Sequence, residues 1–255
     1  MKNRWTTTWA AAAALILIAT ATVRAHAASP EWESPPVSHK DVLPYFDASS
    51  LYLQVLPPPP LTGSEIDRDD VAAIRARQQL DAARVQQAQA DGNWLYDSFA
   101  AALGVPSIRR EQFPALVRLL NRSVKNVGGP AFAAKAAYPR LRPYQRLENI
   151  HVCGQAAGSK PDPDAKRQTS YPSGHSSYGW TTALVLARVS PEHASAILER
   201  ASDYAQSRLI CGMHFPSDIE AGRQLATAVV AQLDGNAEFQ ADLAAARQEL
   251  AGQQH

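Results

Sequence analysis

Apolar side chains recur at helical intervals along most of the chain, and the alternation that is typical of strands is almost absent. Serine, proline and glycine lie at the ends of many of these periodic segments, where helices commonly start and stop. The predicted helices cover residues 64–92, 94–103, 111–127, 131–138, 174–189, 191–209, 217–233 and 238–251. The pattern therefore predicts an all-α fold, with a single compact helical domain.

Two of the predicted helix ends depend on short motifs. Gly128-Gly129-Pro130 combines two weak helix formers with a residue that lacks an N–H, so the helix over 111–127 is predicted to end there. Ser217-x-x-Glu220 has the spacing of a capping box, which predicts that the next helix begins at Ser217.

The N-terminal region differs in composition from the rest of the chain. Residues 1–27 have the pattern of a signal peptide, with Lys2 and Arg4 before an apolar run and Ala25-His26-Ala27 at the expected cleavage site. An uncleaved anchor is the alternative, although the apolar run is short and interrupted by threonines. Residues 28–62 read as a proline-rich arm, and residues 63–255 as the helical domain. The leader predicts export from the cytoplasm.

The charge of the chain is nearly balanced, with 25 basic and 24 acidic residues. Cleavage of the leader would remove three basic residues and no acidic one, which leaves a slightly acidic protein. A nucleic-acid-binding protein would carry a dominant basic surface, so we expect no nucleic-acid partner. No segment after the leader is long and apolar enough to predict a membrane span.

Cys153 and Cys211 are the two cysteines of the chain. An even number in an exported protein favours one disulfide between them, and two buried free thiols are the alternative. Without CxxC spacing they make a poor zinc site, and neither an HExxH nor an EF-hand pattern is present, so no metal or other cofactor is predicted.

Candidate chemistry begins with Ser173, Gly174 and His175, at a junction between a loop and a helix. The first N–H groups of a helix have no partner within it and lie at the positive end of its dipole, so they can bind an anion. Ser173 adds a hydroxyl group, and an imidazole at His175 could protonate a leaving alkoxide. An ordinary serine N-cap followed by glycine is the alternative interpretation.

His214 and Asp218 form a second candidate pair. If the chain folds back between them, the carboxylate accepts a hydrogen bond from one ring nitrogen and leaves the other nitrogen free to attack. The alternative is a surface histidine followed by an acid that stabilises a helix start. Three cations complete the set, namely Lys135, Arg142 and Arg208. Arg142 precedes a proline that restricts its backbone, and its planar guanidinium suits phosphate.

Taken together, these motifs resemble a known family. Lys135 six residues before Arg142-Pro143, then Pro172-Ser173-Gly174-His175, then Ser207-Arg208 followed by His214 and Asp218, resembles the signature of the type 2 phosphatidic acid phosphatase superfamily. Within it, Ser170 to His175 and Ser207 to Gly212 resemble the bacterial class A non-specific acid phosphatases. The resemblance implies the helical fold that acid phosphatases share with vanadium haloperoxidases.

The resemblance also implies a function. The expected enzyme is a periplasmic, metal-independent acid phosphatase that hydrolyses many phosphate monoesters through a phosphohistidine. His214 would be the nucleophile, Asp218 would orient it, and His175 would be the general acid and base. The phosphate ligands would be Lys135, Arg142, Ser173, Gly174 and Arg208. Some family members also transfer the phosphoryl group to other alcohols, and they tend to be homo-oligomers.

Three other functions share parts of this motif set. A vanadate-dependent haloperoxidase would use the same pocket, a lipid phosphatase would need membrane spans, and a phosphate-binding protein would not need two histidines.

Met213 and Phe215 depart from the class A pattern beside His214, so they either alter the leaving-group preference or fill the core. Lys166 and Arg167 could cover the pocket, although we favour solvated loop charges.

Overall fold

The structure is a computed structural model, and it describes residues 42–78, 81–92, 95–154 and 168–253. The predicted signal peptide over 1–27 and the first part of the proline-rich arm lie outside the described residues, so both stay predictions. Within the described residues all regular structure is helical, apart from an isolated bridge between Arg140 and Thr169. The predicted all-α class is confirmed.

Ten α-helices and two short 3₁₀ turns lie in the described residues. The first helices are α1 (Tyr52–Val55), α2 (Glu65–Ala76), α3 (Ala82–Ala90), α4 (Ala100–Leu103), α5 (Pro114–Ala137) and α6 (Pro143–Arg146). They are followed by α7 (Gly174–Val189), α8 (Ala194–Ile210), α9 (Pro216–Leu233) and α10 (Ala237–Gly252). The 3₁₀ turns are Asp97–Phe99 and Pro191–His193. No described helix combines the length and the apolar composition that crossing a bilayer requires.

Helix α7 lies at the centre of the fold and packs against α5, α8 and α9. Most of its side chains are buried, and small residues allow its neighbours to come close. A Cβ atom at Gly222 of α9 would lie 2.7 Å from the carbonyl oxygen of Ser173, and one at Gly179 would lie 2.6 Å from the ring of Tyr204. These two glycines therefore fix how closely α9 and α8 approach α7.

The N-terminal half contains the clearest departures from the predicted helices. The single helix expected over 64–92 is two helices, because Asp81 begins α3 as an N-cap whose side chain accepts from the N–H of Arg84 at 2.8 Å. The helix expected over 94–103 is reduced to the 3₁₀ turn and α4, and Trp94 lies outside the described residues. Ser64 caps α2 as predicted, through the N–H of Asp67.

The predicted break at Gly128-Gly129-Pro130 was wrong, since α5 continues through it. The buried stripe that includes Val124 and Val127 before the motif continues with Ala131 and Ala134 after it. Packing along this stripe, against α7, α9 and α10, outweighs the cost of about 3 kcal/mol that an interior proline brings. Because α5 is continuous, it carries Lys135 in its last turn to the centre of the molecule.

The described part of the arm contacts the helical domain through a few polar and aromatic groups. Leu51 is buried, Tyr52 stacks edge-on against Tyr138 at 5.9 Å, and Leu53 is exposed. The carbonyl oxygen of Pro57 accepts from the hydroxyl of Tyr171 at 2.7 Å. The arm therefore lies against the chain that leads directly into α7.

Candidate active site

Ser173 begins α7 as its N-cap, with its side chain accepting from the N–H of Ser176 at 3.2 Å. Its own N–H donates to the main-chain carbonyl of Asp218 at 2.9 Å, which joins the first turns of α7 and α9. Gly174 follows in the first turn, where a Cβ atom would lie 3.9 Å from Cε of Lys135. The glycine turn and the lysine that were predicted as phosphate ligands are therefore adjacent.

The three predicted cations come from three separate elements and are all buried. Lys135 lies in the last turn of α5, Arg142 is the N-cap of α6, and Arg208 lies in the last turn of α8. Burial lowers the pKa of Lys135 to about 8 and that of Arg208 to about 10, and it also lowers the pKa of Arg142. Each buried charge costs several kcal/mol unless an opposite charge lies nearby, so this region favours a bound anion.

Lys135 and Arg142 both contact the chain that precedes α7. Nζ of Lys135 donates to the carbonyl oxygens of Thr169 and of Pro172, the latter at 2.8 Å. Nη2 of Arg142 donates to Oγ1 of Thr169 at 3.2 Å, and Nη1 donates to the carbonyl oxygen of Met213 at 3.1 Å. Arg142 thus lies between the loop before α7 and the loop that carries His214.

His214 is almost completely buried, and both of its ring nitrogens have polar neighbours. Nδ1 lies 2.8 Å from the carbonyl oxygen of Ser170, and Nε2 lies 3.1 Å from Nη1 of Arg142. Because a carbonyl can only accept and a guanidinium can only donate, Nδ1 carries the proton and Nε2 keeps its lone pair. Burial, followed by the charges of Arg142, Lys135 and Arg208, lowers the pKa of His214 well below its usual value, so the ring is neutral at neutral pH.

Asp218 lies beside His214, but its carboxylate does not accept the expected direct hydrogen bond. Oδ2 is 3.9 Å from Nδ1 of His214 and accepts instead from the hydroxyl of Ser170 at 2.6 Å and from the N–H of Phe215 at 2.7 Å. Asp218 therefore contacts His214 indirectly, through Ser170. The reason is its position in α9, which begins at Pro216 and not at the predicted Ser217, so that Asp218 completes the N-terminal cap.

His175 is buried in the first turn of α7 and stacks on the ring of Tyr204 at 6.2 Å between centroids. Burial, followed by the charges of Arg208 and Arg142, lowers the pKa of His175 well below its usual value, and a hydrogen bond to the backbone of Gly92 opposes this shift. Since the same cations depress the pKa of His214, the two histidines and the three cations form one cluster.

The loop between α8 and α9 is fixed by a disulfide and a close backbone contact. Cys153 and Cys211 are bonded, as predicted. Gly212 has a φ of +64°, and a Cβ atom there would lie 2.3 Å from Ile150, so this turn requires glycine. The disulfide and the turn together set the direction in which the chain leaves α8 toward His214.

Met213 and Phe215, which flank His214, both lie in the core. Met213 belongs to a cluster with Cys153, and Phe215 packs in another cluster with Ile74 and Leu209. This location favours the core-filling interpretation of both residues over a contact with the leaving group. Lys166 and Arg167 lie outside the described residues. Across the described ranges, no three His, Cys, Asp or Glu side chains are grouped as metal ligands.

Sequence reasoning missed a second group of residues that supports the cluster. Arg140 is buried and donates to Asp218, and Asp70 of α2 accepts from Arg140. Asp91 is buried against Ser207. One signal was available for Arg140, because in an extended segment residues two apart point to the same side, as Arg140 and Arg142 would. For the acids the signal was weaker, although Asp67, Asp70 and Ile74 recur at helical spacing.

Comparison with known proteins agrees with this geometry. Residues 118–233 match the PAP2 superfamily. The chain is 36% identical over 205 residues to the non-specific acid phosphatase of Providencia stuartii, covering 78% of this chain and 80% of that protein. It is 32% identical over 233 residues to the acid phosphatase of Zymomonas mobilis subsp. mobilis, covering 89% and 82%. The non-specific acid phosphatase of Salmonella typhimurium is 32% identical over 204 residues, covering 76% and 78%.

The chain therefore belongs to the PAP2 superfamily, and within it the chain is similar to bacterial non-specific acid phosphatases. This confirms the family that the motifs predicted.

Proposed function

We propose that this protein is an acid phosphatase that hydrolyses phosphate monoesters through a phosphohistidine at His214. The observation that carries the proposal is the position of Nε2, which keeps its lone pair 3.1 Å from Arg142 within the buried cations. Such an arrangement suits in-line attack on a phosphorus atom whose oxygens are held by positive charge. The names of the relatives support the same activity.

In the first step, Nε2 of His214 attacks phosphorus and the bond from phosphorus to the ester oxygen breaks. Lys135, Arg142 and Arg208 balance the charge on the phosphoryl oxygens, with the N-terminus of α7 at Ser173 and Gly174 as a further donor. His175 gives its proton to the leaving alkoxide. The imidazole of the phosphohistidine keeps its proton on Nδ1, and this N–H donates a hydrogen bond to the carbonyl oxygen of Ser170.

In the second step, His175 removes a proton from water, and the resulting hydroxide attacks phosphorus. The bond between phosphorus and Nε2 breaks, inorganic phosphate forms and His214 regains its lone pair. An alcohol in place of water would give a new monoester, so we propose phosphotransfer as a side reaction. Because the residues in this scheme bind the phosphoryl group and not the alcohol, we also propose a broad range of monoesters.

Three further properties belong to this proposal. The leader over 1–27 supports a periplasmic location, and we propose a homo-oligomer because the class A phosphatases that the motifs resemble tend to form one. The three cations supply the charge that a metal ion supplies in other phosphatases, so we propose activity without added metal. Treatment with a chelator should leave the rate unchanged within about twofold. A rate restored only by a divalent metal would contradict this part of the proposal.

The proposed pH dependence follows from the charges around the histidines. Burial, followed by the charges of the nearby cations, lowers the pKa of His175, whereas a bound phosphate ester raises it again, so protonated His175 is available mainly in acid. Lys135, whose pKa is about 8, loses its charge as the pH rises further. We expect the highest kcat/KM at about pH 5 to 6.5 and a steep decline above pH 8. A maximum above pH 8 would contradict the assignment.

Rapid quenching with a phosphate-labelled monoester tests the intermediate directly. The expected result is a phosphoryl adduct that is labile in acid and stable in base, and that maps to His214. His214→Ala should lack the adduct, while His151→Ala, which changes an exposed histidine, should form it at the rate of the unmodified enzyme. A turning-over enzyme without any such adduct would rule out the phosphohistidine.

Binding measurements separate an enzyme from a phosphate-binding protein. His214→Ala keeps all three cations, so inorganic phosphate should still bind within about tenfold of its original affinity. Unchanged phosphatase activity in this variant would show that His214 is not the nucleophile.

A further inference from the structure

Arg140 is a buried arginine that lies behind the proposed nucleophile. Its side chain is 7% exposed, and its guanidinium bridges two helices. Nη1 donates to Oδ1 of Asp218 in α9 at 2.6 Å, and Nη2 donates to Oδ2 of Asp70 in α2 at 2.8 Å. Nη1 also lies 2.7 Å from Oγ of Ser217. The guanidinium therefore donates to Oδ1 of Asp218, whereas Ser170 and Phe215 donate to Oδ2.

Ser170 is held by Arg140 in two ways. The N–H of Ser170 donates to the main-chain carbonyl of Arg140 at 3.0 Å, and the hydroxyl of Ser170 donates to the carboxylate that the Arg140 side chain pairs with. The carbonyl of Ser170 is the group that accepts from Nδ1 of His214. The main chain and the side chain of Arg140 thus determine where this carbonyl lies.

The charges around Arg140 form a closed network. It contains the carboxylates of Asp67, Asp70 and Asp218 and the guanidinium groups of Arg140 and Arg146, so its net charge is minus one. Without Arg140, three carboxylates would surround a single guanidinium, and Asp218 would lose the charge-assisted donor at Oδ1. We expect Asp218 and Ser170 to move in response, because Arg140 donates directly to Oδ1 of Asp218, whereas Arg146 donates to Asp67.

We propose that Arg140 is a positioning residue for the phosphoryl transfer. It acts through Asp218 and Ser170 to keep Nδ1 of His214 protonated and Nε2 directed at phosphorus, and Asp70 anchors it from α2. The inference rests on the proposed function, since it assigns a role to Arg140 in forming the phosphohistidine. It also makes α2, which lies outside all three sequence motifs, part of the support for the site.

Arg146 provides a matched control for Arg140. Both guanidinium groups lie over the ring of Phe215, at 4.4 Å for Arg140 and 5.4 Å for Arg146, and both pair with an acid of α2. Arg146 makes its two contacts with Asp67, at 2.5 and 2.6 Å, and not with Asp218. Substituting Arg146 therefore removes a similar ion pair and ring contact while leaving the neighbours of His214 in place.

The test compares Arg140→Gln with Arg146→Gln in the full protein. In Arg140→Gln we expect the rate of adduct formation and kcat to fall about 30- to 100-fold, with KM within about threefold, because Arg140 does not touch the phosphoryl group. Arg140→Lys should recover about a third to a tenth of the original kcat, since an ammonium can reach Asp218 but not Asp218 and Asp70 together. Arg146→Gln should keep kcat within about threefold.

A second measurement does not depend on activity. The Nδ1 proton of His214 should give a downfield proton resonance that Arg146→Gln leaves in place and Arg140→Gln shifts or broadens. If Arg140→Gln does not fold, Arg140→Lys and Asp70→Asn are decisive, and we expect kcat in Asp70→Asn to fall about fivefold or more with the same change in the resonance.

The inference is overturned if the Arg140 variants match Arg146→Gln in kcat and in the Nδ1 resonance, or if KM rises as much as kcat falls. It is equally overturned if Arg140→Lys behaves as Arg140→Gln while Asp70→Asn behaves as the unmodified protein. A failure of the proposed function looks different, since the unmodified enzyme would then form no adduct at all.

Discussion

The two histidines of the cluster are buried in different kinds of surroundings. Around His214 the neighbours are a backbone carbonyl, a guanidinium and, through Ser170, a carboxylate, and together they determine which nitrogen carries the proton. Around His175 they are the ring of Tyr204 and the backbone of Gly92. A nucleophile needs a fixed lone pair, whereas a general acid and base must gain and lose a proton. The difference therefore supports the roles proposed for the two residues.

The largest expected effect is the loss of kcat when His214, the proposed nucleophile of the pair, is removed. His214→Ala should lower kcat by at least about 10⁴-fold with every monoester, because no other group forms the bond to phosphorus. The measurement is steady-state hydrolysis of one alkyl and one dinitrophenyl monoester. A loss that depends on the leaving group would show that His214 acts on the leaving group and would reverse the two roles.

The next effect is smaller and depends on the substrate. His175→Ala should lower the rate of adduct formation by about 10³-fold with an alkyl monoester, but by less than about tenfold with a dinitrophenyl monoester, whose leaving group needs no proton. The adduct should then accumulate, since water lacks its base. Burst kinetics with both substrates provide the check, and equal losses would argue against an acid at His175.

Substitutions at two glycines test, through the free energy of unfolding, how tightly α9 and α8 pack against α7. Gly222→Ala would bring a Cβ atom within 2.7 Å of the Ser173 carbonyl, and backbone cannot move without separating α7 from α9, so we expect a loss of about 3 kcal/mol. Gly179→Ala meets the ring of Tyr204, which is a side chain and not backbone, so we expect about 1 to 2 kcal/mol. Urea unfolding measures both.

Gly235→Ala is the control for this pair, because its nearest contact would be an ordinary 3.9 Å. A larger loss in Gly179→Ala than in Gly222→Ala would contradict the view that the backbone contact between α7 and α9 yields less than the side-chain contact between α7 and α8.

The smallest effect concerns which cation acts on which ring. Arg208 is the first cation among the causes that lower the pKa of His175, and Arg142 is the first for His214. Removing a cation favours the imidazolium form, so Arg208→Gln should raise the pKa of His175 more than that of His214, and Arg142→Gln should do the opposite. Titration of the ring protons by NMR measures both values. Equal shifts in both variants would contradict a separate surrounding for each ring.

Much of this site could be predicted from the sequence, because the chemistry lies in short segments. Ser173, Gly174 and His175 are consecutive and stand at a recognisable helix start, and His214 and Asp218 are four residues apart. The disulfide between Cys153 and Cys211 followed from their number and the leader. Periodicity, with Ser64 as a candidate N-cap, predicted the all-α class and the starts of α2 and α10 to within a residue or two.

What could not be predicted depends on contacts between distant segments. The continuity of α5 through Pro130 is decided by packing against α7, α9 and α10, which local propensity does not include. Likewise, Nδ1 of His214 donates to the carbonyl of Ser170, 44 residues away. Every residue has a backbone carbonyl, so the sequence gives no signal for this contact. Arg140 and Asp70, which are 70 residues apart, are paired only after the fold has formed.

The main-chain bond from the N–H of Ser173 to the carbonyl of Asp218 has a practical consequence. The residue at position 218 therefore has two separate structural roles, one performed by its carboxylate and one by its peptide carbonyl. Asparagine at this position changes the side chain and keeps the peptide group, so the main-chain bond that anchors α7, the helix that carries His175, stays in place. Variants at this position therefore change the carboxylate and its contacts with Ser170, Phe215 and Arg140 while they keep the main-chain bond between α7 and α9.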